Sequence, residues 1–213
     1  MDLKMQIVRE DLSSEVYRRL KEMILANELK PGEKLIQEQI ASLFGVSRMP
    51  LHQAFQMLEN EMLVEKIPRR GFFVTVVDKQ RLIDAFEVRE ALEGVAARQV
   101  TPEISTEDLA TLRSLFEPFI GQEVIDVKAY SRADQQFHDS ILKLCRNQIL
   151  RKLEVISNTT LQTYRGGLIR QPRETLPEHL AIIEAMENRD AKMAERLIKK
   201  HSRKTCNLLK EIN

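Results

Sequence analysis

At 213 residues the chain has the length for one or two domains with buried cores, and 43% hydrophobic with 31% charged residues marks it as globular and largely helical. Two distant cysteines, Cys145 and Cys206, argue against a thiolate metal site and fit a reduced, cytoplasmic protein. The N-terminus has no apolar leader and no apolar run approaches ~18 residues, so neither export nor a membrane span is expected.

The pattern predicts a first helix over 13–28, with Ser13 or Ser14 as cap and Val16, Leu20, Met23 and Ile24 as its stripe. Lys30-Pro31-Gly32 reads as a turn, and Gln37 to Phe44 as a short helix with Ile40 and Leu43 inward. Gly45 suits the left-handed residue that ends that helix. Ser47 can cap the next one, and Pro50 falls in its first turn. Leu51, Phe55, Leu58 and Met62 make one apolar face. The opposite face presents Arg48, Met49, His52, Gln53 and Gln56, which can donate hydrogen bonds although only Arg48 is a formal cation. Leu63–Ile67 and Phe72–Val76 read as a hairpin with Arg69, Arg70 and Gly71 at its tip. A helix held by one face with a basic hairpin beside it is a winged helix-turn-helix, occupying residues 1–77. That segment holds 11 Lys/Arg and 11 Asp/Glu, so affinity for DNA must rest on local placement of Arg48, Lys66, Arg69 and Arg70.

After a short linker near Asp78 the strand signals stop, and residues 78–213 are expected to form an all-α bundle of six or seven helices. Leu82, Phe86, Arg89, Glu93 and Ala96 share a face of the first. Thr101-Pro102 breaks the chain, and Ser105 with Asp108 starts a helix expected to reach Ile120 and stop at Gly121. Further helices are expected at about 125–145, 147–166, 174–188 and 190–211, with Gly166-Gly167 and Pro172 as breakers.

Three of the four histidines lie on apolar stripes. His138 accompanies Val127, Tyr130, Asp134, Phe137, Ile141 and Leu144; His179 accompanies Ile182, Ile183 and Met186; His201 accompanies Ala194, Leu197, Thr205 and Leu208. Asp134 and His138 are i, i+4 neighbours. Taken singly, each reads as a hydrogen-bonded core histidine. Together with an inward carboxylate, they read as ligands of one divalent metal ion per chain, zinc, nickel or manganese, with positions open to water or an anion. Arg89 and Glu93 are equally consistent with an internal ion pair and with an arginine facing a cavity to receive a ligand carboxylate. Asn147, at a helix start, reads as an N-cap.

GVSRMPLHQAF followed by LENEMLVEKIPRRGFFV resembles the winged helix of the GntR family. The Asp134-x-x-x-His138 pair, Glu178-His179, the Arg189-Asp190 break and His201 resemble the FCD ligand-binding domain of its FadR-like subgroup. The resemblance implies a homodimeric bacterial transcription regulator that binds a palindromic double-stranded operator and responds to a small carboxylate effector. By position it implies DNA contacts at Ser47, Arg48, Met49, His52, Gln53, Arg69, Arg70 and Gly71. It implies metal ligands at Asp134, His138, His179 and His201, and effector contacts at Arg89 and Asn147. The chain departs from the family where an arginine is usual at His52, a glutamate at Gln53 and a threonine at Met49; Glu38 stands where some relatives place a DNA-binding arginine. A metallohydrolase using the same histidines and Asp134, and a structural metal beneath a protein-binding winged helix, are the competing readings.

Overall fold

The computed structural model describes residues 12–164 and 167–212, so the expected leaderless N-terminus and the breaker Gly166 lie outside the described residues. The chain divides into two compact units, Met1–Val77 and Asp78–Asn213.

The first unit runs α1 (Leu12–Leu25), β1 (Lys34–Leu35), α2 (Gln37–Phe44), α3 (Arg48–Asn60), β2 (Val64–Ile67) and β3 (Gly71–Val74). Its core joins Val16, Leu20 and Ile24 of α1 to Leu51, Phe55 and Leu58 of α3 and to Phe72 and Val74 of β3. The rings of Phe55 and Phe72 lie 4.8 Å apart and tie the helix to the hairpin. The sheet is antiparallel in the order β1-β3-β2, with Lys66 opposite Phe72 and Lys34 opposite Phe73. Strand β1 was not expected, because two residues are too few to show alternation.

Several expectations shift in this unit. Gly45 does take the left-handed conformation that ends α2, at φ 63°. Leu43, expected inward, is 68% exposed. Met62 does not continue the stripe of α3, since the helix has ended and Met62 turns to positive φ, 58°, with its side chain largely exposed. Ser47 has the extended backbone of an N-cap but its hydroxyl caps nothing.

The second unit consists of α4 (Lys79–Val100), α5 (Thr106–Ser114), a 3-10 turn at Glu117–Phe119, α6 (Val127–Leu144), α7 (Gln148–Thr163), α8 (Pro172–Glu187) and α9 (Ala191–Glu211). Side-chain caps open five of them: Asp78, Ser105, Asp126, Asn147 and Asp190 each accept from a backbone N–H of the first turn. Helix α5 stops short of the expected Ile120. Pro118 has no N–H to give, and its ring would meet the carbonyl of Ser114, so the chain tightens into 3-10 geometry. Val127, read as inward, is 49% exposed at the first turn of α6. The core gathers Phe116, Tyr130, Phe137, Ile141, Ile182, Ile183, Met186 and Ile198.

Replacing Phe55, fully buried, by alanine should cost the winged-helix unit about 3–5 kcal/mol. Hydrogen exchange of the full chain should show faster exchange in α1 and α3 with α6 and α9 unchanged; uniform loosening of both units would contradict the two-core description.

Candidate metal centre and nucleic-acid interface

Asp134 and His138 project from α6, His179 from α8 and His201 from α9, and one ligand atom from each falls within 4.8 Å of all the others. A metal bonded at about 2.1 Å allows donors on opposite sides to stand about 4.2 Å apart. The four groups therefore need only small side-chain shifts to close on a single ion.

Each imidazole is held by its Nδ1, in a manner that leaves Nε2 for the centre. His138 Nδ1 lies 2.7 Å from Glu93 Oε2, and Arg89 Nε donates to the other oxygen of that carboxylate at 2.7 Å. His179 Nδ1 lies 3.0 Å from the Tyr130 hydroxyl, which in turn lies 2.8 Å from Thr175 Oγ1. His201 Nδ1 lies 2.8 Å from Glu178 Oε2, and Arg170 grips the Glu178 carboxylate with both terminal nitrogens at 2.7 and 2.8 Å. An acceptor on Nδ1 fixes the proton there and makes Nε2 the lone-pair nitrogen. The buried Nε2 atoms of His138 and His179 have no hydrogen-bond partner. His179 Nε2 does lie 3.2 Å from Asp134 Oδ1, but without hydrogen-bond geometry. Orphaned buried nitrogens cost roughly 1–3 kcal/mol each. Two of them, on histidines clustered with one carboxylate, are the observation that fits a cation here. Three nitrogens and one carboxylate oxygen suit zinc, nickel or manganese.

The electrostatics agree. Burial pushes all three imidazoles below the ordinary histidine value; for His138 the neighbouring Arg89 adds to the effect, and for His179 and His201 their carboxylate partners oppose it. Neutral imidazoles are the form that binds metal. Burial raises the Asp134 carboxyl, but His179, His138 and Arg89 outweigh it and hold Asp134 well below the usual carboxylate range. The same competition, won by Arg89 and His138, brings Glu93 down to about 2.

Arg89 also faces a cavity of about 310 Å³ whose wall includes Asp134, His201, Arg170, Asn158 and Gln162. The ion pair with Glu93 and the cavity-facing position, weighed as alternatives from the sequence, are therefore both present. Asn147 is not brought to this cavity: its side chain caps α7 by accepting from Leu150 N at 3.0 Å. Glu93, Glu178 and Tyr130 were not singled out from the sequence as imidazole anchors; Tyr130 sits one helical turn from Asp134 and Glu178 next to His179, whereas Glu93 lies on α4, which carries no candidate metal ligand. Arg170 gave no signal, since it lies in an irregular segment without periodicity.

On the other unit, Ser47, Arg48, Met49, His52 and Gln53 are all exposed along the first half of α3, and Arg69 and Arg70 at the hairpin tip, with Gly71 partly covered. Three are not free-standing. Arg48 Nη2 donates to Glu38 Oε1 at 2.8 Å. Gln53 accepts from Ser13 Oγ of α1. The His52 ring meets Phe72 edge-on at 6.1 Å. Arg69 adopts positive φ, 63°, a conformation costly for a side chain with a Cβ, and Arg70 lies 5.3 Å over the Phe73 ring.

The pattern of bacterial regulatory proteins of the gntR family matches residues 12–74, and that of the FCD domain matches residues 84–204. The chain belongs to the GntR family of regulators. An uncharacterized HTH-type transcriptional regulator of Bacillus subtilis (strain 168), YdhC, is 28% identical over 206 residues, 92% of this chain and 90% of that protein. The galactonate operon transcriptional repressor of Escherichia coli (strain K12) is 27% identical over 218 residues, covering 91% of this chain and 94% of that one. A GntR regulator structure from Rhodococcus sp. RHA1 shares the fold at TM-score 0.73 and 20% identity, over 94% of this chain and 98% of its own. These families and relatives are transcription regulators, not enzymes, which sets the metallohydrolase alternative aside.

The depressed histidines set a pH dependence. Unfolded imidazoles take up protons below about pH 6.5, whereas the folded ones resist until lower pH. The unfolded chain then binds more protons, so stability falls as pH falls. Chelator-treated protein should lose thermal stability steadily from about pH 6.5 downward, and His179→Gln should flatten that dependence. A melting temperature independent of pH between 7.5 and 5 would contradict the buried neutral trio.

Proposed function

We propose that this chain is a cytoplasmic, homodimeric regulator whose operator affinity is set by a small carboxylate effector bound at a metal site in residues 78–213. The observation that carries this reading is the cluster of three Nδ1-anchored imidazoles with Asp134, set beside a cavity whose wall holds Asp134, His201 and Arg89. Asp134, His138, His179 and His201 would hold the ion, and the ion would supply a Lewis-acidic point for one carboxylate oxygen. Glu93, Tyr130 and Glu178 fix the imidazole tautomers. Arg89 spends its Nε on Glu93, which leaves its terminal nitrogens for the effector's carboxylate. The wall residues Asn158 and Gln162 add amide groups suited to a hydroxylated rather than an alkyl acid. The galactonate operon repressor's name points to an acid of that kind for a relative. Asn147, a helix cap here, would act only by holding the start of α7.

At the other end, Ser47, Arg48, Met49, His52 and Gln53 would enter the major groove, with Arg48 reading a guanine edge. Arg69, Arg70 and Gly71 would follow the backbone or minor groove. Two copies related by a two-fold axis would read the halves of a palindrome. An effector must favour one state over the other by a difference in binding energy, or it shifts nothing.

Elemental analysis of natively purified protein tests the centre: about one divalent ion per chain is expected, and Glu178→Gln should weaken metal binding roughly 10–100-fold by freeing His201. No metal after exposure to zinc, nickel or manganese would contradict it. Among carboxylates screened by thermal shift on metal-loaded protein, the stabilising ones should lose their effect in Arg89→Ala. Equal stabilisation of Arg89→Ala would remove Arg89 from the effector site.

A further inference from the structure

The pair formed by Arg48 and Glu38 is unusual in its setting. Arg48 is the first residue of α3, and Glu38 lies in the first turn of α2. Both side chains are 75% exposed, so neither needs the other to avoid burial. The contact is one hydrogen bond, from Nη2 to Oε1 at 2.8 Å. A guanidinium has five N–H donors, so this bond leaves most of its donor edge open. On the same half of α3, Met49, His52 and Gln53 provide no further formal cation.

We propose that Glu38 is a positioning residue for DNA readout, buttressing Arg48 so that its remaining edge meets a guanine rather than a phosphate. A free arginine on this surface would be drawn to whichever phosphate was nearest, and such contacts carry no sequence information. Glu38 opposes that in two ways. Its carboxylate repels the phosphate backbone, and leaving it costs Arg48 a charge-assisted bond. An exposed pair of this kind is worth at most about fivefold in an equilibrium. Guanine O6 and N7, taken together by one guanidinium edge, are worth from about fivefold to about 150-fold over a wrong base. Those acceptors can be engaged with the Glu38 bond intact. A phosphate taken at the same open edge is brought toward the Glu38 carboxylate, which repels it, and a phosphate taken at Nη2 displaces that bond. The buttress therefore leaves the specific contact in place and weakens the nonspecific one. The wing supplies the phosphate contacts, through Arg69, Arg70 and Lys66.

The inference rests on the winged helix reading DNA, and the experiment separates the two. Full-length protein first selects duplexes from a random pool; a failure to enrich any sequence would defeat DNA reading by the winged helix and this proposal with it. With a selected duplex in hand, Glu38→Gln should lower the ratio of affinities for the selected and random duplexes by about fivefold. It should also steepen the salt dependence on random duplex by about 0.9 in log–log slope, as Arg48 gains a phosphate. Repeating the selection with Glu38→Gln should relax base preference at one position of each half-site. In an Arg48→Ala background, Glu38→Gln should change neither the ratio nor the base preference. If Glu38→Gln tightens both duplexes equally, Glu38 is a simple repeller of DNA and the buttress is overturned. An unchanged ratio, or an effect that persists without Arg48, overturns it as well. Circular dichroism and melting of each variant confirm the fold, which an exposed Glu-to-Gln change leaves intact.

Discussion

The second unit depends on one constraint: Asp134 presents a carboxylate to the interior of a helical bundle. A charge there is expensive, and its charged form rests on His179, His138 and Arg89 outweighing burial. The bundle answers with a second layer of charge. Arg89 balances Glu93, Arg170 balances Glu178, and each carboxylate takes an imidazole N–H. Removing any one partner would leave another buried group unpaired, so these residues stand or fall together. Helices α4, α6, α8 and α9 are thereby fixed to one another by polar contacts as well as by the apolar core.

The winged helix obeys the opposite regime. The charges around α2 and the start of α3 sit in water, where an ion pair is worth little and salt screens it. Arg48 and Glu38 can thus part or hold according to what DNA offers, which a buried pair cannot do. The left-handed Arg69 belongs to the same surface. A glycine would occupy that backbone position without steric cost, and the arginine there leaves its cation exposed at the hairpin tip.

Periodicity made the helices of both units legible in the sequence, since apolar residues recur at the helical period and Asp78, Ser105, Asp126 and Asp190 cap as their residue types suggest. The four candidate ligands were legible for a related reason: polar groups on an apolar stripe point to the same interior as their neighbours. What the stripe could not show was distance, nor that Glu93 would serve Arg89 and His138 at once. It failed wherever an element ended. Met62 fits an apolar pattern yet lies where the backbone has already turned away, Leu43 faces outward from the last turn of α2, and Val127 sits on a first turn that reaches past the core. Short β1 and the irregular segment bearing Arg170 have no period at all. Asn147 caps α7 through its side-chain oxygen, as its residue type at a helix start suggests.

Arg89 and Glu93 lie four residues apart on α4, with one end of their pair at the cavity and the other at His138. Under the proposed function, an anion taken by Arg89 weakens its hold on Glu93, and Glu93 then leans harder on His138. Glu93 thereby links the cavity to His138, beside the direct place of Asp134 and His201 in the cavity wall. Coupling of this kind counts only if it biases an element with two arrangements. Helix α4 is the candidate, because it carries both residues and because the second unit opens with it, one residue after Asp78. Helices α8 and α9 also reach the cavity, through Thr175, His201 and Thr205, but under the proposed function an effector that moves α4 acts on the helix that follows directly on the segment joining the two units in sequence.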